Sequence, residues 1–110
     1  MNSHRLEKIK DLLRDEVGKI IKDEFEFEEW PIVTVTRTEI SKTLEHATVF
    51  ISILPQTKAK AVLKKIKSRI YFLQQILNKR LSMRPVPKIR FEIDRTEERA
   101  DRIEKILNKL

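Results

Sequence analysis

Two alternating stretches joined by a short link constrain the fold of this chain more than any other feature. Ile32–Ile40 is rich in β-branched residues and alternates, and Ala47–Leu54 alternates again. Successive residues of a strand point to opposite faces, so this pattern predicts two half-buried strands. The link, Ser41–Glu45, is too short for a crossover connection. The two strands are therefore predicted to form an antiparallel hairpin.

Helical periodicity precedes the hairpin. Apolar residues recur every three or four positions over Ser3–Lys22, which predicts an amphipathic helix with Ser3 as its N-cap. An acidic segment, Asp23–Glu29, follows. The helix is not expected to continue through Trp30-Pro31, because the residue before a proline avoids helical geometry. We expect Trp30 to cover the core between helix and sheet, in preference to a role in contacting a partner.

A second helix follows the hairpin. It is predicted over Thr57–Leu81, with Thr57 as its cap. Its apolar stripe consists of Leu63, Ile66, Ile70, Leu73, Leu77 and Leu81. Phe72 and Ile76 lie off this stripe. Either the helix bends near Ser68–Phe72, or these two residues cover a second surface.

The end of the chain adds one strand and one helix. Val86–Ile93 is predicted to be a third strand, and Asp94 or Thr96 is expected to cap a final helix at about 95–110. The apolar edge of that helix is Ile103, Ile106, Leu107 and Leu110. The order α-β-β-α-β-α over residues 1–110 predicts one α+β domain, with a three-stranded sheet and helices packed on one face.

Charge is sorted along the chain in a way that predicts a binding surface. Between His46 and Phe91 there is no Asp or Glu, although this stretch holds eleven of the 24 Lys and Arg residues. All seventeen acidic residues lie elsewhere, and the net charge is +7. Solubility is served by mixed signs, so this sorting favours a polyanion partner, most often nucleic acid. A solvated basic helix face is the plainer alternative.

The predicted contacts are mostly basic, because Lys and Arg neutralise phosphates and release counterions. Tyr71 could stack on an unpaired base, although it equally fits an ordinary surface residue. Phe50, on the outer sheet face, fits a core or edge role better than stacking. The predicted RNA-binding residues are Lys60, Lys64, Lys65, Lys67, Arg69, Tyr71, Lys79, Arg80, Arg84, Lys88 and Arg90.

No catalytic or metal-binding pattern is visible in the sequence. There is no cysteine, and the single glycine, Gly18, excludes a glycine-rich phosphate loop. His4 and His46 have no partner at metal-ligand spacing. We expect no enzymatic activity, no cofactor and no small-molecule substrate. No apolar run approaches the roughly 18 residues that span a bilayer, so we expect no membrane association and a cytoplasmic location.

Three strings, in their order and spacing, resemble the ribosome-binding factor A family. They lie within Thr34–Ser41, Leu44–Ser52 and Leu81–Asp94. The resemblance implies a type II K-homology fold and a non-enzymatic factor that binds the immature small (30S) ribosomal subunit. It implies a role in late maturation of 16S ribosomal RNA, near its 5′-terminal helix, and in growth in the cold. It also implies a bent second helix, although Arg69-Ile70-Tyr71 stands here in place of the family's Ala-x-Gly kink.

Two functional hypotheses remain open at this point. The first is a monomeric assembly factor that binds free 30S subunits through 16S ribosomal RNA and favours one RNA conformation over another. The alternative is a basic protein-interaction module that docks on an acidic protein partner. Phosphate binding would give a steep dependence of affinity on salt, whereas a mostly apolar protein interface would not.

Overall fold

The elements follow the order predicted from the sequence. The computed structural model describes residues 3–109, without the side chains of Ser3, Glu97, Glu98 and Asp101. The elements are α1 Ser3–Glu24, β1 Ile32–Ile40, β2 His46–Leu54, a 3-10 helix Gln56–Lys58, α2 Ala59–Ser68, α3 Ile70–Arg80, β3 Lys88–Ile93 and α4 Thr96–Asn108. The predicted cap at Ser3 and the apolar position Leu110 lie outside the described side chains.

The three strands form one sheet in the order β1-β2-β3. β1 and β2 are antiparallel, which confirms the predicted hairpin, and β2 and β3 are parallel. In this register Val49 lies beside Phe91, and Val35 beside Ile51, and all four residues belong to the core. β3 begins two residues later than predicted, at Lys88 instead of Val86.

Three helices cover the inner face of the sheet. α1 packs mainly on β1, α2 on β2 and β3, and α3 on α1 and β3. The residues that these helices bury share one stripe on each helix: Leu13, Val17, Ile20, Val62, Ile66, Leu73 and Leu77. The opposite face of the sheet carries alternating polar side chains such as Thr48 and Glu92. The predicted α+β architecture, with helices on one face, is therefore confirmed for α1, α2 and α3.

The bend predicted in the second helix is present. Regular α-helix ends at Ser68, and Arg69 adopts φ −116° and ψ 22° before α3 begins at Ile70. The two segments therefore present separate stripes to the core. Ile76 packs against the core from α3, while Phe72 is partly exposed beside Arg69.

The predicted cap at Thr57 is wrong. Thr57 lies inside the 3-10 helix, and the N-cap position of α2 is Lys58, whose side chain makes no capping hydrogen bond. The reason is local: the Lys58 N–H donates to the Pro55 carbonyl at 3.0 Å, which closes a tight turn first. The α-helix therefore starts two residues later than Thr57.

Trp30 does not cover the core, contrary to the prediction. Its side chain is 93% exposed. Phe25 is buried and Phe27 half-buried, with ring centroids 5.9 Å apart, and these two rings close the core where α1 ends. Glu29 and Trp30 both adopt left-handed geometry, with φ 63° and 53°, and the chain therefore turns before β1.

The final helix is anchored at its start and open along its length. Thr36 lies at a bulge in β1, and its hydroxyl donates to the Asp94 carboxylate at 2.6 Å. The same carboxylate accepts the Thr96 N–H at 2.9 Å. The N-cap position itself is Arg95, so the predicted capping position is wrong by one residue, although Asp94 still satisfies an N–H of the first turn. Within the described residues, the apolar edge of α4 remains more than half exposed at Ile103, Ile106 and Leu107.

Ile51 is completely buried on the central strand, and we expect Ile51→Ala to lower the free energy of unfolding by about 2–4 kcal/mol. The lost methyl groups would leave a cavity between the sheet and the helices. Ile32→Ala is the matched control, because Ile32 is 63% exposed. This change should alter the free energy of unfolding by no more than about 0.5 kcal/mol. Urea denaturation of both variants measures the difference, and equal losses would contradict this assignment of faces.

Hydrogen bonds from the Thr36 and Thr96 hydroxyls lower the pKa of Asp94 from 3.8 to about 2. A lowered folded-state pKa contributes stability that is complete above the unfolded value and is lost as the pH falls through the folded value. Between pH 4 and pH 2, the wild type should therefore lose on the order of 2 kcal/mol relative to Asp94→Asn. Unfolding free energies measured across this pH range test the prediction, and parallel curves for the two proteins would refute it.

Candidate RNA interface

The second helix carries a continuous row of lysines on its solvent face. Lys60, Lys64 and Lys67 follow one another at steps of four and three residues, so they lie on one side of α2. Val62 and Ile66 on the opposite side are buried, which fixes the orientation of the helix. All three lysines are exposed and make no ion pair within the described residues. We call these three residues the α2 stripe.

The helix break ends the α2 stripe and is held by local contacts. The Ser68 hydroxyl donates to the Lys65 carbonyl at 2.7 Å, and the Arg69 N–H donates to the Ile66 carbonyl at 3.1 Å. Tyr71 follows two residues later and is 76% exposed. The structure therefore leaves a free aromatic ring just beyond the lysines.

Lys65 and Arg69 point away from the α2 stripe. The Lys65 ammonium donates to the Glu26 carbonyl and lies 5.6 Å from the Phe27 ring centroid. The Arg69 guanidinium lies between two rings, 5.4 Å from the centroid of Phe25 and 4.3 Å from that of Phe72. Cation–π contacts of this kind stabilise the fold. These two predicted RNA contacts are thus already engaged within the protein.

Three more arginines of the predicted set also serve the fold. Arg80 forms ion pairs with two acidic residues of α1, with Glu16 at 3.6 Å and with Asp23 at 4.0 Å. Arg84 donates to the carbonyls of Asn78, Leu81 and Met83 at 2.7–3.1 Å, just after α3. Arg90 lies on the outer face of the sheet, where it contacts Thr48 at 3.0 Å and Glu92 at 3.3 Å.

Lys79 and Lys88 are exposed without an ion pair in the described part of the chain. Lys79 lies on α3 and Lys88 at the first position of β3. Neither belongs to the α2 stripe. The structure therefore brings together Lys60, Lys64 and Lys67, with Tyr71 beyond them, and separates the other predicted residues.

A groove beside the α2 stripe escaped the sequence analysis. Its volume is about 340 Å³, and Lys67 lines it together with Arg37, Arg95 and Arg99. Phe50 lies at its base, buried beneath the Arg37 guanidinium at 3.7 Å. Arg95 and Arg99 are four residues apart, as are Lys60 and Lys64, and this spacing was the available signal. Asp94, Glu97 and Glu98 mask it, because they interrupt the basic charge in this part of the sequence.

The outer face of the sheet is electrically mixed. Arg37 pairs with Glu39 at 2.5 Å, and Arg90 pairs with Glu92 at 3.3 Å. Such pairs leave little net field to attract a polyanion. Among the residues that the structure describes, Lys88 is the unpaired lysine of this outer face, and the other unpaired lysines of the acid-free stretch lie on the helices, three of them in the α2 stripe.

The chemistry of this surface is binding through charge and an exposed ring. Among the described residues, no three His, Cys, Asp or Glu side chains converge as metal ligands would. No helix in the same part of the chain has the length and apolar character needed to cross a bilayer. The pKa values of the Glu29 and Asp94 carboxyl groups are lowered, and both changes arise mainly from hydrogen bonds within the fold.

The fold is that of the K-homology-like proteins. A crystal structure of ribosome-binding factor A from Thermus thermophilus is similar to this chain with a TM-score of 0.69 and 17% identity, covering 78% of this chain and 92% of that one. A homology model of the Thermus thermophilus factor, fitted into the cryo-EM map of a 30S complex, matches with a TM-score of 0.65 and 21% identity. That match covers 77% of this chain and 90% of that one.

Sequence comparison adds the family. The family model for ribosome-binding factor A matches residues 5–107. The ribosome-binding factor A of Thermomicrobium roseum is 32% identical over 111 aligned positions, covering 100% of this chain and 86% of that protein. The chain belongs to the ribosome-binding factor A family, which confirms the resemblance drawn from its three strings.

Arg84 is expected to matter for stability, because its guanidinium closes the end of α3 through three carbonyl groups. Arg84→Ala should lower the free energy of unfolding by about 1–2 kcal/mol. Arg84→Lys should not restore it, because a single ammonium group cannot reproduce the planar fork of arginine. Lys79→Ala is the matched control and should stay within about 0.5 kcal/mol. Urea denaturation measures the free energy of unfolding of each variant, and equal losses for Arg84→Ala and Lys79→Ala would contradict the prediction.

Proposed function

We propose that the protein binds the immature small ribosomal subunit and assists late maturation of 16S ribosomal RNA. It acts by binding alone, in the cytoplasm and as a monomer. The observation that carries the proposal is the α2 stripe, three exposed lysines in a row without acidic partners among the described residues. Membership of the ribosome-binding factor A family supports the ribosome as the partner, as does the 30S complex of the Thermus thermophilus factor.

The spacing of the α2 stripe suits a phosphate backbone. Each lysine that meets a phosphate releases condensed counterions, which gives affinity without reading the base sequence. The exposed ring of Tyr71, beyond the stripe, adds a stacking surface for an unpaired base. Together these contacts favour an RNA segment that is single-stranded where it passes the helix break.

Binding of this kind can direct RNA folding without catalysis. A protein that binds one RNA conformation more tightly than another shifts the population towards the first by its difference in affinity. During late maturation, such a shift would hold the processing site in the conformation that is cleaved. In the same way, support of growth in the cold would follow from stabilising a conformation that RNA reaches slowly at low temperature.

The test removes the α2 stripe and leaves the fold intact. Changing Lys60, Lys64 and Lys67 together to Ala should weaken binding to free small subunits strongly at low salt. It should also reduce the slope of log affinity against log salt by about two units, since each lost phosphate contact contributes about 0.7–0.9. Because these side chains are exposed, each change should alter stability by only about 0.5 kcal/mol. Filter binding or sedimentation at several salt concentrations gives the slope.

A matched triple variant lies on α1. Lys8, Lys10 and Lys19 are also helical lysines, but Lys10 pairs with Glu7 and Lys19 with Glu16. Changing these three to Ala should leave the affinity and its salt slope close to those of the wild type. Equal binding by the two triple variants would show that the α2 stripe is not the RNA surface. A shallow salt slope in the wild type would instead favour docking on an acidic protein.

A further inference from the structure

The first strand leaves one edge of the sheet open. β1 is the outermost strand, so every second residue of Ile32–Val35 directs its backbone N–H and C=O away from β2. Natural edge strands are usually protected by charged residues, prolines or bulges. Here Pro31 precedes this stretch and the bulge after Val35 follows it, but the four residues between carry no charge. This short edge is free to pair with another strand.

A groove with both apolar and polar lining runs along the same edge. It lies between α1 and β1 and has a volume of about 460 Å³. Its apolar lining is Ile21, Phe25, Phe27, Val33 and Val35, and its polar lining is Arg14, Asp15, Lys22 and Thr34, of which Arg14 and Asp15 form an ion pair. Gly18 also lines it, and a β-carbon at that position would lie 4.0 Å from the Val35 side chain. The missing side chain therefore keeps this part of the groove open. An added strand would find a place here for alternate apolar side chains.

Trp30 stands at the start of this edge. It is the only tryptophan in the chain and is 93% exposed. Two residues later, at the start of β1, Ile32 is 63% exposed, and its register partner Leu54 is 51% exposed. Exposed tryptophan is typical of the anchor residues of protein interfaces.

The backbone that presents Trp30 is strained and held in place. Two successive non-glycine residues, Glu29 and Trp30, adopt φ values near 60°, which side chains other than glycine rarely accept. The Lys58 ammonium donates to the Glu29 carboxylate, and the Trp30 N–H donates to the Phe27 carbonyl at 3.4 Å. Strain of this kind persists where the surrounding structure enforces it, commonly at binding sites.

The charge next to Trp30 identifies the class of partner. The preceding segment, Asp23–Glu29, contains five acidic residues and no Lys or Arg. Glu24, Glu26 and Glu28 are exposed and form no ion pair with the described residues. Asp23 and Glu29 are paired with Arg80 and Lys58, so these three carboxylates carry the unbalanced charge of the segment. They would repel a phosphate backbone, so base stacking on Trp30 is disfavoured. A protein segment that carries Lys or Arg would be attracted.

We propose that the free edge of β1 docks an extended, basic segment of a partner protein by strand addition. The backbone of Ile32–Val35 pairs with the segment, alternate apolar side chains enter the groove beside α1, and Trp30 packs over its end. Lys or Arg side chains of the segment complement Asp23–Glu29. The β1 edge is separate from the α2 stripe, because α2 packs on β2 and β3 and β1 forms the other edge of the sheet. The acidic segment does contact α2, but through Lys65, which is not part of the stripe.

Two synthetic peptides of about eight residues, a length typical of strands, test the proposal. Val alternates with Lys in one and with Glu in the other. The Val–Lys peptide should change the fluorescence of Trp30 and slow amide hydrogen exchange at alternate positions of Ile32–Val35. The Val–Glu peptide should do neither. Equal effects of the two peptides, protection along β3 instead of β1, or no effect of the Val–Lys peptide would overturn the proposal.

Two aromatic variants distinguish an anchor from a general effect. Trp30→Gly should weaken binding of the Val–Lys peptide by about tenfold or more, measured by calorimetry, because an anchoring ring is lost. Folding should survive, since glycine accepts the φ of 53° at this position. Tyr71→Ala removes another exposed ring, since Tyr71 on α3 is 76% exposed. This variant should bind the Val–Lys peptide with the affinity of the wild type. Equal losses in both variants would overturn the anchor role.

Two other ligands of this surface, a second copy of the chain and RNA, would give different experimental results. If the edge accepted a second copy of this chain, the protein alone would dimerise with slowed exchange in β1, and the proposal would fail. If Trp30 bound RNA, a short single-stranded oligonucleotide would change its fluorescence, and the proposal would also fail. The peptides carry no phosphate, so their binding does not depend on the α2 stripe.

Discussion

Burial of the central strand is the constraint on which the rest of the structure depends. β2 pairs with β1 on one side and with β3 on the other, and Val49 and Ile51 on its inner face are fully buried beneath the helices. Only its outer face remains, and there Phe50 lies under the Arg37 guanidinium. Since β2 has no free edge, a partner strand can pair with the sheet only at β1 or at β3. The two surfaces proposed above lie towards these two edges.

The helix break follows from the same constraint. α2 must pack on β2 and β3, whereas α3 must also reach α1, and one straight helix cannot satisfy both directions. The resemblance implied a glycine at this break, yet the chain bends at Arg69 with φ −116°, a value open to any residue. The Arg69 guanidinium then holds the bend by lying between Phe25 and Phe72. In this chain the contacts of the Arg69 side chain therefore stabilise the bend, whereas in the family a glycine allows it.

Arginine and lysine have different roles in the acid-free stretch. Arg69, Arg80, Arg84 and Arg90 are all bound to rings, carboxylates, carbonyls or a hydroxyl of the described chain. Of the seven lysines, Lys58 and Lys65 are also engaged, with Glu29 and with the Glu26 carbonyl. The other five make no ion pair there: Lys60, Lys64, Lys67, Lys79 and Lys88. The planar fork of arginine suits fixed internal geometry, while the hydrated ammonium of lysine loses little by remaining in water. The positive charge open to a polyanion is therefore largely lysine.

Local pattern alone determined the order of the elements and the faces that the sheet and the first three helices bury. Alternation over Ile32–Ile40 and the helical steps of the α2 stripe depend only on strand and helix geometry, so the sequence was sufficient to predict both. The resemblance to a family supplied the position of the bend, which periodicity alone had left open. The tertiary structure alone decided that Trp30 is exposed. It also decided that Lys67 lines one groove together with Arg37 and Arg99. These features depend on which distant segments the core brings together, and no periodicity within a single segment records that.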